Sequence, residues 1–250
     1  MRFIFAIAYR EYRIRLTNPI FPLWDVMVPV IYLVIFGASF ERWLGDQTLG
    51  LNYPTFLLGG VLAMVSFSVA MNSAYASFED HNSGIFQELL TYPFPRRDLL
   101  IGRVLFNSTF AVLGAALCLL AARAILHIRI SPAALIPLLA WVLFGAAGWY
   151  FLFFWIAVQV RGFNAFQTLT SSLYMFLMFL SNLFYPADRL PSWASWLAIS
   201  NPITWQVDLL RFHIFGTGNL RWLTLESFGF AAFTLLCFWL AARALNNPSE

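Results

Sequence analysis

Lysine is missing from this 250-residue chain: all 15 of its basic residues are Arg. Without Lys there is no Walker A loop, whose terminal Lys reaches the β- and γ-phosphates of a nucleotide. Schiff-base chemistry, which needs an amine, is excluded as well. Charge of either sign is scarce, at 11% of residues against roughly 25% in soluble domains. The two cysteines, Cys118 and Cys237, lie in apolar runs and read as small buried hydrophobes, not as a disulfide framework. A formal net charge of +3 is too small to point to nucleic acid. His81, His127 and His213 fall in or beside polar stretches, where they read as solvated loop residues, and no pair of them has metal-ligand spacing.

What is present is apolar: 60% of the chain is hydrophobic and 18% aromatic, with 27 Phe and 10 Trp. A globular fold has to cover its surface with polar groups, and this composition cannot supply them. The chain reads as an all-α integral membrane protein. Backbone groups in lipid must be satisfied within the segment, and the apolar runs are too long and unbroken for a barrel. A hydrocarbon core of about 30 Å takes about 20 helical residues, and the gaps between charges predict six spans. They are Leu23 to Phe40 with Pro29 as a kink, a second within 47–78, and Val104 to Ala122 bracketed by Arg103 and Arg123. A fourth falls within 130–160, a fifth within 162–185, and a sixth runs from near Trp222 to Arg243. The N-terminal stretch, Phe3 to Ala8, ends in Arg10, Glu11, Arg13 and Arg15 without a small-residue cleavage site, so it is not expected to be a cleaved signal.

Arg bias sets the expected orientation, with both termini inside. That choice collects Arg2, Arg10, Arg13, Arg15, Arg96, Arg97, Arg103, Arg161 and Arg243 on the cytoplasmic side. Arg42, Arg123, Arg129, Arg189, Arg211 and Arg221 then lie outside. Every charged residue is placed at or near a span end, with Asp25 and Glu226 about one turn inside. Nucleophile and base do not face each other within the spans, and no carboxylate or His sits near the midplane, where ion-coupled transporters keep one. The chain reads as a single transmembrane domain, 1–250, with three polar segments. These are the arm 1–18, the segment 79–103 and the loop 185–221.

The segment 79–103 is the most informative. Ile85, Phe86, Leu89 and Leu90 form one apolar stripe of a short helix, with Gln87, Glu88 and Thr91 on the other side. Asn82 or Ser83 can cap its start, and Pro93 and Pro95 end it. Such a helix can lie in the headgroup region or dock in a groove of a soluble partner. The arm carries one stripe of Phe5, Tyr9, Tyr12 and Leu16 and another of Phe3, Ile7 and Ile14. It reads as an interfacial helix whose Arg10, Arg13 and Arg15 reach anionic headgroups, or as a positive flank that only sets topology. In the loop 185–221, Asn201 is a good N-cap with Pro202 at the first helical position. The residues that follow are apolar on both faces, so this helix should dip back into the outer leaflet, with Trp193 and Trp196 at the interface. The row Trp149, Tyr150, Phe151, Phe153, Phe154 and Trp155 covers all sides of its helix and cannot all line a path.

Gly84, Glu88, Leu90, Pro93, Arg96 and the run Leu99-Leu100-Ile101-Gly102 resemble the coupling-helix region of type-2 ABC-transporter permeases. So does the order of Phe184-Tyr185-Pro186, Leu190-Pro191, Trp193, Asn201-Pro202 and Arg211 in the outer loop. Asn182 departs from the pattern, standing where many members carry Gly. The resemblance covers nearly the whole chain. It implies an export permease that works as a dimer with a separate ATP-binding subunit, multi-pass in a bacterial inner membrane, with its substrate path through the permease pair. It places Gly84, Ile85, Phe86, Glu88, Leu89, Leu90, Arg96 and Arg97 at the ATPase-subunit contact. Arg10, Arg13 and Arg15 fall on an interfacial gate arm. Pro186, Pro191, Asn201, Pro202 and Arg211 fall on re-entrant outer helices that close the exit. It further implies that this chain itself is not an enzyme and holds no cofactor, with ATP and Mg on the partner. Two other classes stay open: an ion-coupled secondary transporter, depending on Asp25 or Glu226, and a lipid-modifying membrane enzyme, for which no acid–base pair is found.

Overall fold

A computed structural model describes residues 2–17, 20–44, 53–92, 95–128, 130–186, 190–216 and 218–246. Among the described residues all regular structure is helical, in ten helices. They are α1 (Arg2–Thr17), α2 (Ile20–Leu44), α3 (Tyr53–Asn82), α4 (Ile85–Thr91), α5 (Arg96–Ala124), α6 (Pro132–Gln159), α7 (Phe163–Phe179), α8 (Ser192–Ile199), α9 (Pro202–Phe215) and α10 (Leu220–Asn246). Five of them, α2, α3, α5, α6 and α10, are long and apolar enough to cross a membrane. The remaining expected span, the fifth along the chain, corresponds to α7, which has 17 residues and falls short of the usual length.

Helix α3 is the centre of the bundle, and its sequence explains why. Gly59, Ala63, Ser66, Ala70, Ser73 and Ser77 recur every three or four residues and all are buried. A stripe of small side chains lets neighbouring backbones approach closely, which is how helices associate where lipid offers no hydrophobic gain. The Ser66 hydroxyl donates to the Val142 carbonyl of α6 at 3.0 Å. Farther along, a Cβ at Gly114 of α5 would stand 2.8 Å from Val65. Aromatic rings fill what remains: Phe67 lies 4.8 Å from Trp149 and 4.9 Å from Phe153, centroid to centroid. The aromatic row of α6 is therefore mostly core, with Trp149, Tyr150, Phe153 and Phe154 fully buried.

The third span begins earlier than its apolar run. Helix α5 starts at Arg96, and Arg103 lies two turns inside it with no exposed surface. Arg103 is thus inside its helix rather than flanking it, and Asp80, in the last turn of α3, is buried with it. The reason is mutual neutralisation, which hydropathy along one segment does not register. The histidines also depart from the loop reading. His81 is in the last turn of α3, with its ring 5.5 Å from that of Phe86. His213 is on α9, against Trp141 at 6.5 Å, and His127 alone is exposed in a connection. Helix α7 is the least embedded: it buries only Phe166, Thr170 and Met178, and Gln167, Thr168, Ser171 and Ser172 are exposed.

Candidate functional site

The bundle has two ends of distinct chemistry. At one end, α4 hangs from α3 by a tight turn. Its N-cap is Gly84, in the left-handed region with φ 79°, a conformation that suits Gly better than the expected caps Asn82 and Ser83. Ser83 serves the turn differently: its N–H donates to the Glu79 carbonyl at 2.9 Å and its hydroxyl to the Asp80 carbonyl at 3.3 Å. Phe86 roots the helix in the core, 1% exposed, with its ring 6.2 Å from Phe154. Leu89 is partly buried beside it. Ile85 and Glu88 stand on the outer side, exposed. The side chain of Leu90, the fourth member of the stripe, lies outside the described ones, as does Pro93. Helix α4 ends with Tyr92 as its C-cap. Arg97 is exposed, whereas Arg96 turns inward and donates to the Leu245 carbonyl, fixing the end of α10.

The arm α1 lies along α5 at the same end. Gly102 permits the contact, because a Cβ there would stand 2.9 Å from the Ile4 carbonyl oxygen. The buried face of α1 is Ile7, Ala8 and Glu11, and Phe3, Phe5, Tyr9, Ile14 and Leu16 are exposed. Two of the three arm arginines are held in ion pairs within the bundle. Arg10 pairs with Asp80 at 2.8 Å and Glu11 at 2.9 Å. Arg15 pairs with Asp25 at 3.2 Å. Burial lowers the Arg15 pKa from its ordinary value, and the Asp25 carboxylate opposes that. Only Arg13 points outward. Asp25, one of the two carboxylates inside span ends, is thereby neutralised. Glu226, the other, keeps a buried Oε2 without a hydrogen-bond partner among the described residues.

Arg103 closes a ring of four charges. Its guanidinium donates to the Asp80 carboxylate and the Ser77 hydroxyl, and its Nε lies 3.4 Å from Glu11. The Ser77 hydroxyl in turn meets Tyr150 of α6 at 3.3 Å. Arg10, Glu11, Asp80 and Arg103 alternate in sign, sum to zero and join α1, α3 and α5.

At the far end, Asn201 caps α9 as expected, accepting from the Ile203 N–H at 2.9 Å, with Pro202 opening the helix. Its amide also donates to the Leu177 carbonyl at 2.7 Å and the Leu180 carbonyl at 3.1 Å, which ties the cap to the end of α7. Arg211, buried, staples α9 to the rest. Its Nε donates to the Phe56 carbonyl at 3.0 Å, and its Nη2 to the Asn182 and Leu183 carbonyls at 2.9 and 3.2 Å. Its guanidinium carbon sits 3.6 Å from the Phe56 ring centroid. Burial lowers the Arg211 pKa and Asp208 raises it, while burial raises the Asp208 pKa against the pull of Arg211 and Asn182. Pro186 ends the turn leading from α7, and Pro191 is the N-cap of α8, whose Trp193 and Trp196 are exposed.

The order of these parts along the chain matches a known family. The model of the ABC-2 type transporter covers residues 2–215. The chain belongs to the ABC-2 type transporter family. Proteins named "Putative transport permease ycf38" are similar to it. That of Cyanophora paradoxa is 23% identical over 225 residues, covering 84% of this chain and 73% of the relative. That of Porphyra purpurea is 22% identical over 189 residues, covering 75% and 65%. That of Pyropia yezoensis is 30% identical over 86 residues, covering 34% and 28%. The protein is thus a multi-pass membrane component of transport and not itself a catalyst of a covalent reaction.

In this ABC-2 permease an aromatic cavity lies away from the α6 row. A space of about 510 Å³ opens between α2, α7 and the turn after it, lined by Tyr32, Phe36, Tyr174, Met178, Phe179 and Phe184 among others. Sequence reading missed this cavity, since its walls come from separate segments. It also missed Glu11, Asp80, Asn182 and Asp208 as partners of the arginines. One signal was present for Asp80: Ser73, Ser77 and Asp80 continue the buried stripe of α3 at helical spacing.

Proposed function

We propose that this chain is the membrane-spanning subunit of an ATP-driven exporter. It works as a pair of permease copies with a separate ATP-binding subunit docked at α4. Both termini face the cytoplasm of a bacterial inner membrane, the arm lies at the lipid surface, and α8 and α9 close the path at the outer side. Helix α7 is a further crossing, the fifth of six along the chain: at 1.5 Å per residue it spans about 26 Å, and the turn that follows completes the distance. Its bared polar residues favour a neighbouring permease copy or a hydrated path over lipid. The aromatic and methionine walls of the cavity favour an uncharged or amphipathic cargo with an apolar part, such as a lipid-linked glycan or a drug.

The observation that carries the reading is α4 itself. A helix rooted by one buried ring, with Ile85 and Glu88 turned outward on the side away from that root, is built to be held from both sides. Co-expression with the cognate ATP-binding subunit tests it. The wild-type chain is expected to purify with that subunit, and Ile85→Arg or Glu88→Arg to lose it while the permease still enters the membrane and elutes as a folded species. In liposomes, ATP hydrolysis by the wild-type complex is expected to rise with an amphipathic aromatic cargo and not with a strongly charged one. Full retention of the subunit by both variants would remove α4 from the docking role.

A further inference from the structure

The four-charge ring lies at the root of α4, and its members are not equivalent. Arg103 has no exposed surface and needs a negative partner at all times, because an unneutralised buried charge is strongly destabilising. It has two, Glu11 from the arm and Asp80 from α3. Arg10 is different. Its side chain is 27% exposed, so water can solvate it if a partner is withdrawn. Asp80 is held by both cations, and its backbone is held by the turn that carries α4. The Ser83 hydroxyl bonds the Asp80 carbonyl, the Gly84 N–H bonds the His81 carbonyl at 3.4 Å, and His81 abuts Phe86 and the Val158 carbonyl.

We propose that Asp80 is the joint through which a displacement of α4 is passed to the arm. When the root of α4 shifts, Asp80 stays with the buried Arg103 and gives up Arg10, the partner that water can take over. The arm then loses its tie to α3 and keeps its contacts along α5, the Glu11–Arg103 contact and the Arg15–Asp25 pair with α2. Two arrangements of the same ring follow, with Arg10 bound or released, and α4 biases the choice between them. Arg10 and Asp80 are positioning residues in this scheme. The proposal rests on the docking reading only for what moves α4 in the cell.

Amide hydrogen exchange on the purified full-length chain in lipid nanodiscs tests the joint without any ATP-binding subunit, so the outcome is independent of whether such a subunit docks. Arg10→Gln, a change at a partly exposed side chain, is expected to accelerate exchange in the arm by roughly 5–30-fold, and Arg10→Lys to restore part of the protection. Phe86→Ala is expected to accelerate the same amides, although its ring packs on His81 and Phe154 of α3 and α6. In the double variant the two effects should not multiply, because both act through Asp80. Wild-type arm exchange in Phe86→Ala overturns the proposal, and so do independent, multiplying effects of the two substitutions.

Discussion

Replacing Arg103 by Leu is expected to cost about 3–5 kcal/mol, the loss found when one partner of a buried ion pair is removed. The substitution leaves Glu11 and Asp80, both buried, facing each other across the arm contact with only Arg10 to neutralise them. It also takes the guanidinium donor from Ser77, in a site where hydrogen bonds are strong and missing ones costly. Lys at this position should recover only part of the loss, since a single ammonium cannot reproduce a fork that spans Glu11, Asp80 and Ser77. Thermal unfolding of the detergent-solubilised protein reads the effect. The triple change Glu11→Gln, Asp80→Asn, Arg103→Leu should be more stable than Arg103→Leu alone, because the uncompensated charges leave with their partner. A wild-type melting temperature for Arg103→Leu would contradict the ring as a structural element.

Arg211→Ala is the second large effect, and its damage should be local to the α9 end. The side chain satisfies the loop carbonyls of Asn182 and Leu183 and adds a second donor to the helical carbonyl of Phe56, and leaving groups such as the first two buried without a donor costs about 1–3 kcal/mol each. It also covers the face of Phe56 and fills the space that Gly59 leaves open, where a Cβ would stand 2.5 Å from its Cγ. Two readouts separate local release from global unfolding. Protease access to the segment 186–216 should rise sharply, while protection of α1 and α5 at the other end stays close to wild type. Gly59→Val should produce the same local phenotype by pushing the guanidinium out of its seat. If Arg211→Ala leaves the segment as resistant as wild type, α9 is held by its apolar face alone.

The two ends of the molecule were unequally legible in the sequence. Long apolar runs between charges locate α2, α3, α5, α6 and α10, because a span is a local property of about 20 consecutive residues. Asn201 and Pro202 mark the start of α9 for an equally local reason: cap chemistry lies within a few residues of the helix it caps. Arg103 failed to stand out because its place is set by Glu11 and Asp80, from segments far along the chain, and counting charges at span edges treats a neutralised Arg as a flank. The partners of the arm were hidden for the same reason. Its Arg10 and Arg15 read as a basic face for lipid or as a flank that sets topology, and Asp80 and Asp25 are brought to them only by α3 and α2. Helix α7 falls within the expected stretch 162–185, but its end at Phe179 could not be read from an apolar run that continues past it, where Asn182 and the following residues turn to meet Arg211. The aromatic cavity, with walls from α2, α7 and the turn, has no single-segment signature at all.

The central claim is that α4 is the contact for an ATP-binding subunit, and cross-linking at its exposed surface tests this most directly. A photo-reactive residue introduced at position 88, on the exposed side of α4, would be activated in intact membranes and its adducts identified by mass spectrometry. The expected result is one dominant adduct with a protein that carries a Walker A sequence, lost when Ile85 is changed to Arg. Adducts with lipid or with other copies of this chain, and none with a nucleotide-binding protein, would contradict the account.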